Sequence, residues 1–273
     1  MFVRAILGAA RRSLEGTVAA AVWRSARDEW FARRVPVRRT PWGFDFAGAE
    51  DMQLGEFETA ELAFVASTLR SMDLLVDVGA NFGIYTCLAR HLGREAIAAE
   101  PLPTNLALLY RNLEINGWGD TEVWPVALGV ERGTLAIYGG RTGASLVPGW
   151  SGTSRGYRTI VSATTLDRVL LERSGQRMLI KVDVEGAEYS LLKGAVETLR
   201  LQPSPVWLME ICLREHSPDG QNPRFLETFE TFWKAGYAAF QLNDLETAIS
   251  PKAVASWVSG GAPPAYNFVF RRT

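Results

Sequence analysis

Leu74 to Leu92 reads LLVDVGANFGIYTCLARHL, and this stretch decides the fold. The apolar run Leu74-Leu75-Val76 ending in Asp77 predicts a buried parallel strand, and Ile84, Cys87, Leu88 and Leu92 recur at helical spacing. Between them Gly79 and Gly83 make a tight turn. Glycine takes backbone conformations closed to other residues and leaves room for a ligand beside the free N–H groups of a helix N-terminus. A strand, glycine turn and helix in this order point to a nucleotide-like ligand, with a bare βα turn as the alternative.

Outward from that unit the chain alternates strand-like and helix-like segments, the pattern of a parallel sheet covered on both faces. A strand is expected near Glu95 to Glu100, a helix from Thr104 to Asn116 and a third strand at Glu122 to Leu128. Two added strands, LAIYGG and RTIVSATTL, flank a Gly/Ser-rich loop over 139–157. A helix follows at Leu166 to Glu172. The fourth unit is the clearest: MLIKVDV, the turn EGAE, and a helix carrying Leu191, Leu192, Val196 and Leu199. PVWLMEI then precedes a helix at Pro223 to Lys234. YAAFQL and AYNFVFRR close the chain as two strands, read as a hairpin whose connection shows little helical pattern.

Bulk properties narrow the options. A chain of 273 residues suits one large α/β domain. Lysine plus arginine (29) balances aspartate plus glutamate (30), so no global basic field exists to hold a nucleic-acid backbone. The two cysteines, Cys87 and Cys212, stand in apolar stretches, which fits small core residues in a reducing compartment. No secretory signal pattern or long apolar run appears, so the expectation is a soluble, cytoplasmic protein. Residues 1–39 differ, with nine arginines against three acids in an alanine-rich composition. They are read as a basic helical extension that packs on its own domain or on a partner subunit in a homo-oligomer. Contact with an anionic membrane surface is the alternative, disfavoured because Ile6, Leu7, Leu14, Val18 and Trp23 do not separate cleanly from the arginines.

In an open α/β sheet a ligand sits beyond the carboxyl ends of the strands, and here those ends are acidic: Asp77, Glu100, Asp183 and Glu210. Glu100, at the end of the strand after Asp77, is placed to accept hydrogen bonds from both hydroxyls of a ribose. An adenosine-containing cofactor follows. A dinucleotide site needs G-x-G-x-x-G, whereas this loop reads Gly79-Ala80-Asn81-Phe82-Gly83 and lacks the central glycine. An aspartate repels a pyrophosphate but attracts the ammonium of a methionine moiety, so Asp77 favours S-adenosylmethionine over NAD.

These residues also carry a resemblance. TPWGFDF, GEFETAE, LLVDVGANFGIYT, AAEPLPTNLALLYRNLEINGW, VALGVERGTLAIY, TTLDRVL and above all LIKVDVEGAEYSLLKGA resemble the FkbM family of S-adenosylmethionine-dependent methyltransferases. The likeness runs from about Thr40 to Leu213, so residues 40–273 are taken as the methyltransferase domain. It implies a class I methyltransferase (Rossmann-like) fold, mostly parallel with a C-terminal antiparallel hairpin, and methyl transfer to a hydroxyl oxygen of a sugar, glycoconjugate or natural product. By position it implies that Asp77, Gly79, Asn81 and Gly83, with Asp183, surround the methionine end of the cofactor. Glu100 then holds the ribose, Pro101 and Leu102 flank the adenine, and Val126 and Ala127 offer backbone groups to the adenine edge. Residues 1–39 and the tail after His216 lie outside the resemblance, so acceptor choice is not carried over.

A sulfonium methyl is already activated, so the protein must hold an oxygen in line and take its proton. Asp183 ranks first as proton acceptor, Glu185 second and His216 third. Lys181, two residues before Asp183, shares its side of the strand and would keep it ionised. Glu185 and Glu188 also suit the N-terminus of the next helix. The acids have the oxygen chemistry of a Mg²⁺ site, but no ligand set is readable and no metal is assigned. The composition of the loop 139–157 suits either a lid, with Trp150 and Tyr157 as stacking plates and Arg141, Arg155 and Arg158 for an acidic group, or a disordered insertion. Glu58 and Glu61 are assigned to ordinary packing. A cofactor-binding protein without turnover is the competing class. Methylation of nitrogen is disfavoured, because DVEG stands where an N-P-P-Y-like turn is expected.

Overall fold

The computed structural model describes residues 34–153 and 155–272, together with Trp30 and Ala32. The basic extension expected over 1–39 falls almost wholly outside the described residues. Its end forms a short strand, β1 (Val37–Arg39), paired antiparallel with β2 (Asp45–Ala47). Two helices, α1 (Glu50–Leu54) and α2 (Thr59–Thr68), lead to the main sheet.

The first units follow the predicted alternation: β3 (Leu74–Val78), α3 (Ile84–His91), β4 (Glu95–Ala99), α4 (Pro103–Ile115) and β5 (Glu122–Trp124). The single strand expected over Glu122 to Leu128 is two. Pro125 has no N–H to donate and interrupts the ladder. Beyond it β6 (Ala127–Leu128) leaves the main sheet and joins β7 (Gly133–Tyr138) and β8 (Arg158–Thr164) in a three-stranded sheet of order β6-β8-β7.

After α5 (Leu166–Val169), a single turn rather than the longer helix expected, come β9 (Met178–Val182) and α6 (Glu188–Lys193). The helix predicted to run to Leu199 stops at Lys193. A Cβ on Gly194 would lie 2.0 Å from the Gly129 carbonyl, so the backbone turns where only glycine fits. The chain continues through β10 (Val206–Glu210), α7 (Phe225–Lys234), β11 (Ala238–Gln241), α8 (Pro251–Val258) and β12 (Asn267–Arg271). Helix α8 occupies the connection expected to lack helix. Its start was legible: Ser250 caps it by accepting from the Ala253 N–H at 3.2 Å, and Pro251 stands in the first turn.

The main sheet has the order β11-β12-β10-β9-β3-β4-β5. Strand β12 runs antiparallel to both neighbours and β10, β9, β3, β4 and β5 are parallel. That is the class I methyltransferase sheet with its terminal antiparallel pair. Every residue of β3 and β9 is buried, as in strands covered on both faces. With the period of two, Leu75, Leu179 and Leu208 pack against Leu88 and Leu109, whereas Val76, Ile180 and Trp207 pack against Leu191, Phe229 and Phe232. Asp77 and Lys181, opposite one another in register, share the face of Leu75 and Leu179. Cys87 and Cys212 are buried and unpaired. Among the described residues no helix is long and apolar enough to cross a membrane.

Candidate active site

The turn after β3 is shaped by contacts within the protein. Gly79 has φ 79°, and a Cβ there would lie 1.8 Å from the Asp183 carbonyl oxygen. Gly83 has φ 85°, and its Cβ would lie 2.3 Å from Leu109 Cδ1. Room for a ligand was the expected reason for both glycines; closure of the β3 and β9 turns on each other and of the turn on α4 requires them already. Asn81 takes the left-handed region at φ 52°, open to asparagine at low cost.

A cleft opens beyond the carboxyl ends of β3, β4 and β9. Gly79, Asn81, Glu100, Pro101, Leu102, Val126, Ala127, Asp183 and Glu185 all line it, so most of the predicted site residues are brought together. Glu100 is 4 % exposed. Its Oε2 accepts the Asn81 N–H at 2.9 Å, and its Oε1 accepts the Leu102 N–H at 2.8 Å and the Asn105 amide at 3.3 Å. Burial raises its carboxyl to about 7 against the lowering effect of these donors. The carboxylate therefore organises the turn and the start of α4 at once, and has little capacity left for two ribose hydroxyls.

Asp77 and Gly83, assigned to the cofactor from the sequence, do not line the cleft. Asp77 is fully buried beneath it, and its Oδ2 accepts the Thr86 N–H at 3.1 Å and the Thr86 hydroxyl at 2.6 Å. Burial raises its carboxyl, opposed by the charge of Lys181. Its visible work is to fix the first turn of α3. His216, third in rank as proton acceptor, is exposed and also outside the lining. Its Nδ1 lies 3.1 Å from the Ser151 hydroxyl.

On the β9 side Asp183 and Glu185 line the cleft, and Glu58 and Glu210 stand beside Asp183 outside that lining. Oxygens of Glu58, Asp183 and Glu210 lie within 4.8 Å of one another, a spacing compatible with a metal ion. Lys181 already brings a cation among them: its Nζ is 3.0 Å from Asp183 Oδ2 and 4.6 Å from the centre of the Tyr85 ring. Burial disfavours the ammonium, but the charges of Asp183, Glu58 and Asp77 outweigh this and raise its pKa. Glu58, which accepts from the Tyr85 hydroxyl, and Glu210 are both raised, first by burial and also by the charge of Asp183. Glu185 is pushed up to about 7 by burial and by Asp183. The arrangement holds more carboxylates than its one lysine balances, and burial raises Glu58, Glu185 and Glu210.

The 139–157 loop forms part of the wall through Arg141, Thr142, Ala144 and Leu146. Trp150 is not an open stacking plate. It is 2 % exposed, packs where a Cβ on Gly186 would touch its ring at 2.6 Å, and donates from Nε1 to Glu185 Oε2 at 2.6 Å.

Glu58, assigned to packing, is the main residue misplaced, whereas Glu61 does serve packing by accepting from Asn267 at 2.6 Å. Tyr85 and Asn105 were not singled out. Asn105 stands on the first turn of α4, one turn beyond Glu100, a position that could have marked it.

The model of the methyltransferase FkbM domain matches residues 77–238, more than half of the chain. The protein belongs to the FkbM methyltransferase family. S-adenosylmethionine-dependent methyl transfer is thereby its activity class. No curated protein matches the sequence. Among solved structures, the FkbM chain is similar to an O-methyltransferase from Bacillus cereus in complex with SAH (13 % identity, TM-score 0.46, 81 % of this chain and 83 % of that one). It is also similar to a precorrin-6y C5,15-methyltransferase from Geobacter metallireducens (16 %, 0.42, 71 % and 78 %). A tRNA (uracil-54, C5)-methyltransferase from Pyrococcus abyssi in complex with S-adenosyl-L-homocysteine is a third (13 %, 0.43, 86 % and 43 %).

The cleft residues fit the cofactor of this family. Leu102, Val126, Ala127 and Ile137 give an apolar wall for a base, and Glu100 and Asn105 give buried acceptors for hydroxyls. Asp183 and Glu185 lie across β3 from that wall, where a cation is favoured and a pyrophosphate repelled.

Proposed function

We propose that this FkbM protein methylates a hydroxyl oxygen of a sugar, glycoconjugate or other natural product, with Asp183 as the proton acceptor. The observation that carries the reading is the shared wall: Asp183 lines the same cleft as Glu100, Asn81 and Gly79, so one ligand spans both. When bound, S-adenosylmethionine supplies a methyl group activated by its sulfonium. What remains for the chain is to orient an acceptor oxygen and remove its proton.

Asp183 is held by Lys181, yet its side chain keeps 22 % exposure where that of Lys181 keeps 8 %. A face of the carboxylate is thus left for the acceptor. Lys181 is a positioning residue. Glu185, poised near 7 and fixed by Trp150, is the second candidate base, because a base works best with a pKa near the operating pH. His216 ranks last. On the cofactor side Glu100 holds the ribose, Pro101 and Leu102 flank the adenine, Val126 and Ala127 meet its edge, and Gly79 and Asn81 approach the methionine end. Asp77 supports this indirectly through Thr86.

The acceptor class follows from charge. Four carboxylates around one lysine repel phosphates, which disfavours nucleic acid, while partly protonated carboxyls both donate to and accept from a polyhydroxylated molecule. Purified protein, S-adenosylmethionine and a panel of sugars and hydroxylated metabolites provide the test. A mass gain of one methyl on a hydroxyl is expected, with calorimetric binding of S-adenosylmethionine and none of NAD. Methylation confined to amines in the same panel would sink the oxygen assignment.

A further inference from the structure

We infer that Asn105 is a second ribose-binding residue, whose side-chain oxygen receives the hydroxyl that Glu100 has no capacity left to hold. The inference rests on the cofactor placement proposed above.

Asn105 is 2 % exposed and lines the cleft from the first turn of α4. Its Nδ2 donates to Glu100 Oε1 at 3.3 Å and to the Arg141 carbonyl at 3.2 Å. Both partners are acceptors, so the orientation of the amide is settled: nitrogen must face them and oxygen must face the other way. That oxygen, Oδ1, is buried and accepts no hydrogen bond in the structure. A buried acceptor without a donor carries its full desolvation penalty, which a ligand donor removes.

The chemistry of the donor follows from Glu100. A carboxylate offers about four lone-pair directions, and the Asn81 N–H, the Leu102 N–H and the Asn105 amide take three of those on Glu100. One direction is left, whereas a ribose presents two adjacent hydroxyl donors. Asn105 Oδ1 belongs to the same amide whose nitrogen touches Glu100, and both residues line the cleft. A vicinal diol matches that pair. The exocyclic amino group of adenine and the ammonium of the methionine end are the other donors the cofactor carries.

The test is a calorimetric comparison on the full chain of S-adenosylhomocysteine with its 2′-deoxy, 3′-deoxy and inosine analogues, in wild type, Asn105→Ala and the near-isosteric Asn105→Leu. In wild type each deoxy analogue is expected to bind about tenfold more weakly, the scale of one good hydrogen bond. In both variants S-adenosylhomocysteine itself should weaken by a similar factor, and the penalty of one deoxy analogue, the one lacking the hydroxyl held by Asn105, should vanish. If both deoxy analogues keep their wild-type penalties in the variants, Asn105 has no ribose partner and the inference falls. It falls equally if the penalty that vanishes is that of the inosine analogue, since the acceptor then faces the adenine. If neither deoxy analogue is weaker in wild type, it falls without recourse to a variant. Wild-type protein that does not bind S-adenosylhomocysteine at all overturns the cofactor placement and the inference with it.

Discussion

The two halves of the cleft are built on opposite plans. On the β4 side one carboxylate, Glu100, has all but one of its about four acceptor directions filled by donors from its own neighbourhood, Asn81, Leu102 and Asn105. On the β9 side carboxylates from three distant segments, Glu58, Asp183 and Glu210, converge on a single lysine and outnumber it. An acid so nearly filled is a rigid fixture that holds a shape. A cluster with more acids than cations keeps carboxylate oxygens that the lysine does not occupy, and a half-site that must remove a proton needs such an acceptor.

The largest effect should therefore come from the acidic half. Asp183→Asn keeps the size and a hydrogen-bonding partner for Lys181 but cannot take the proton, and general-base catalysis is typically worth about 10² to 10⁴ in rate. The loss is expected in kcat, with cofactor affinity nearly unchanged. Steady-state kinetics beside Glu185→Gln decide between the two acids: a normal rate in Asp183→Asn with a large loss in Glu185→Gln moves the base to Glu185.

The nearly filled half predicts a smaller, two-part effect. Glu100→Ala removes a charge-assisted acceptor for the ribose, and affinity for S-adenosylhomocysteine should fall by about 1.5–3 kcal/mol. It also strands the Asn81 and Leu102 N–H groups, each a buried donor worth about 1–3 kcal/mol when unpaired, so thermal stability should fall as well. Calorimetry and a melting curve on the same sample measure both. A large loss of affinity with an unchanged Tm would mean that Glu100 touches the ligand without organising the turn, and the contrast between the halves would disappear.

The same contrast explains what was legible in the sequence. Glu100, Gly79 and Asn81 are encoded by local chemistry, a strand end and a tight turn, and β3, β4 and β9 are marked by apolar runs of the right length, whereas the fold that joins them was implied by the family resemblance. The acidic half depends on long-range closure. Glu58 precedes the first strand of the main sheet, and only the packing of α2 brings it to Asp183. Asp77 differs from its expected place for a related reason: its charge suggested direct ligand contact, but it lies below the cleft lining on the sheet face shared with Lys181, and its Oδ2 is taken by Thr86. Helix α8 was hidden differently, since its cap was readable but its short apolar pattern was not.

The smallest effect concerns a carboxyl that belongs to the acidic side by charge and to the fixed side by bonding. Glu188 is 2 % exposed and its Oε1 accepts the Gly186 N–H at 2.8 Å, so it closes the turn that carries Asp183 and Glu185. Burial pushes its carboxyl up to about 8, from an ordinary value of 4.5. The folded chain thus keeps a proton that the unfolded chain has released between those values, and folding takes up protons there. Its contribution to stability is complete below about 4.5 and is lost as the pH rises through about 8. Glu100 and Glu185, each near 7, act in the same direction, whereas Asp73, held near 2 by its hydrogen bonds from Arg177, is ionised in both states over this window. The ligand-free protein is therefore expected to melt at progressively lower temperature from pH 5 to pH 8. In Glu188→Gln the side-chain oxygen still accepts the Gly186 N–H but no longer titrates, so the slope should flatten by on the order of a few °C across the range, the scale set by roughly 1 kcal/mol in a domain of this size. Melting temperatures that rise with pH in wild type, or a slope unchanged in the variant, would show that the proton-rich side of the cleft does not govern stability in this window.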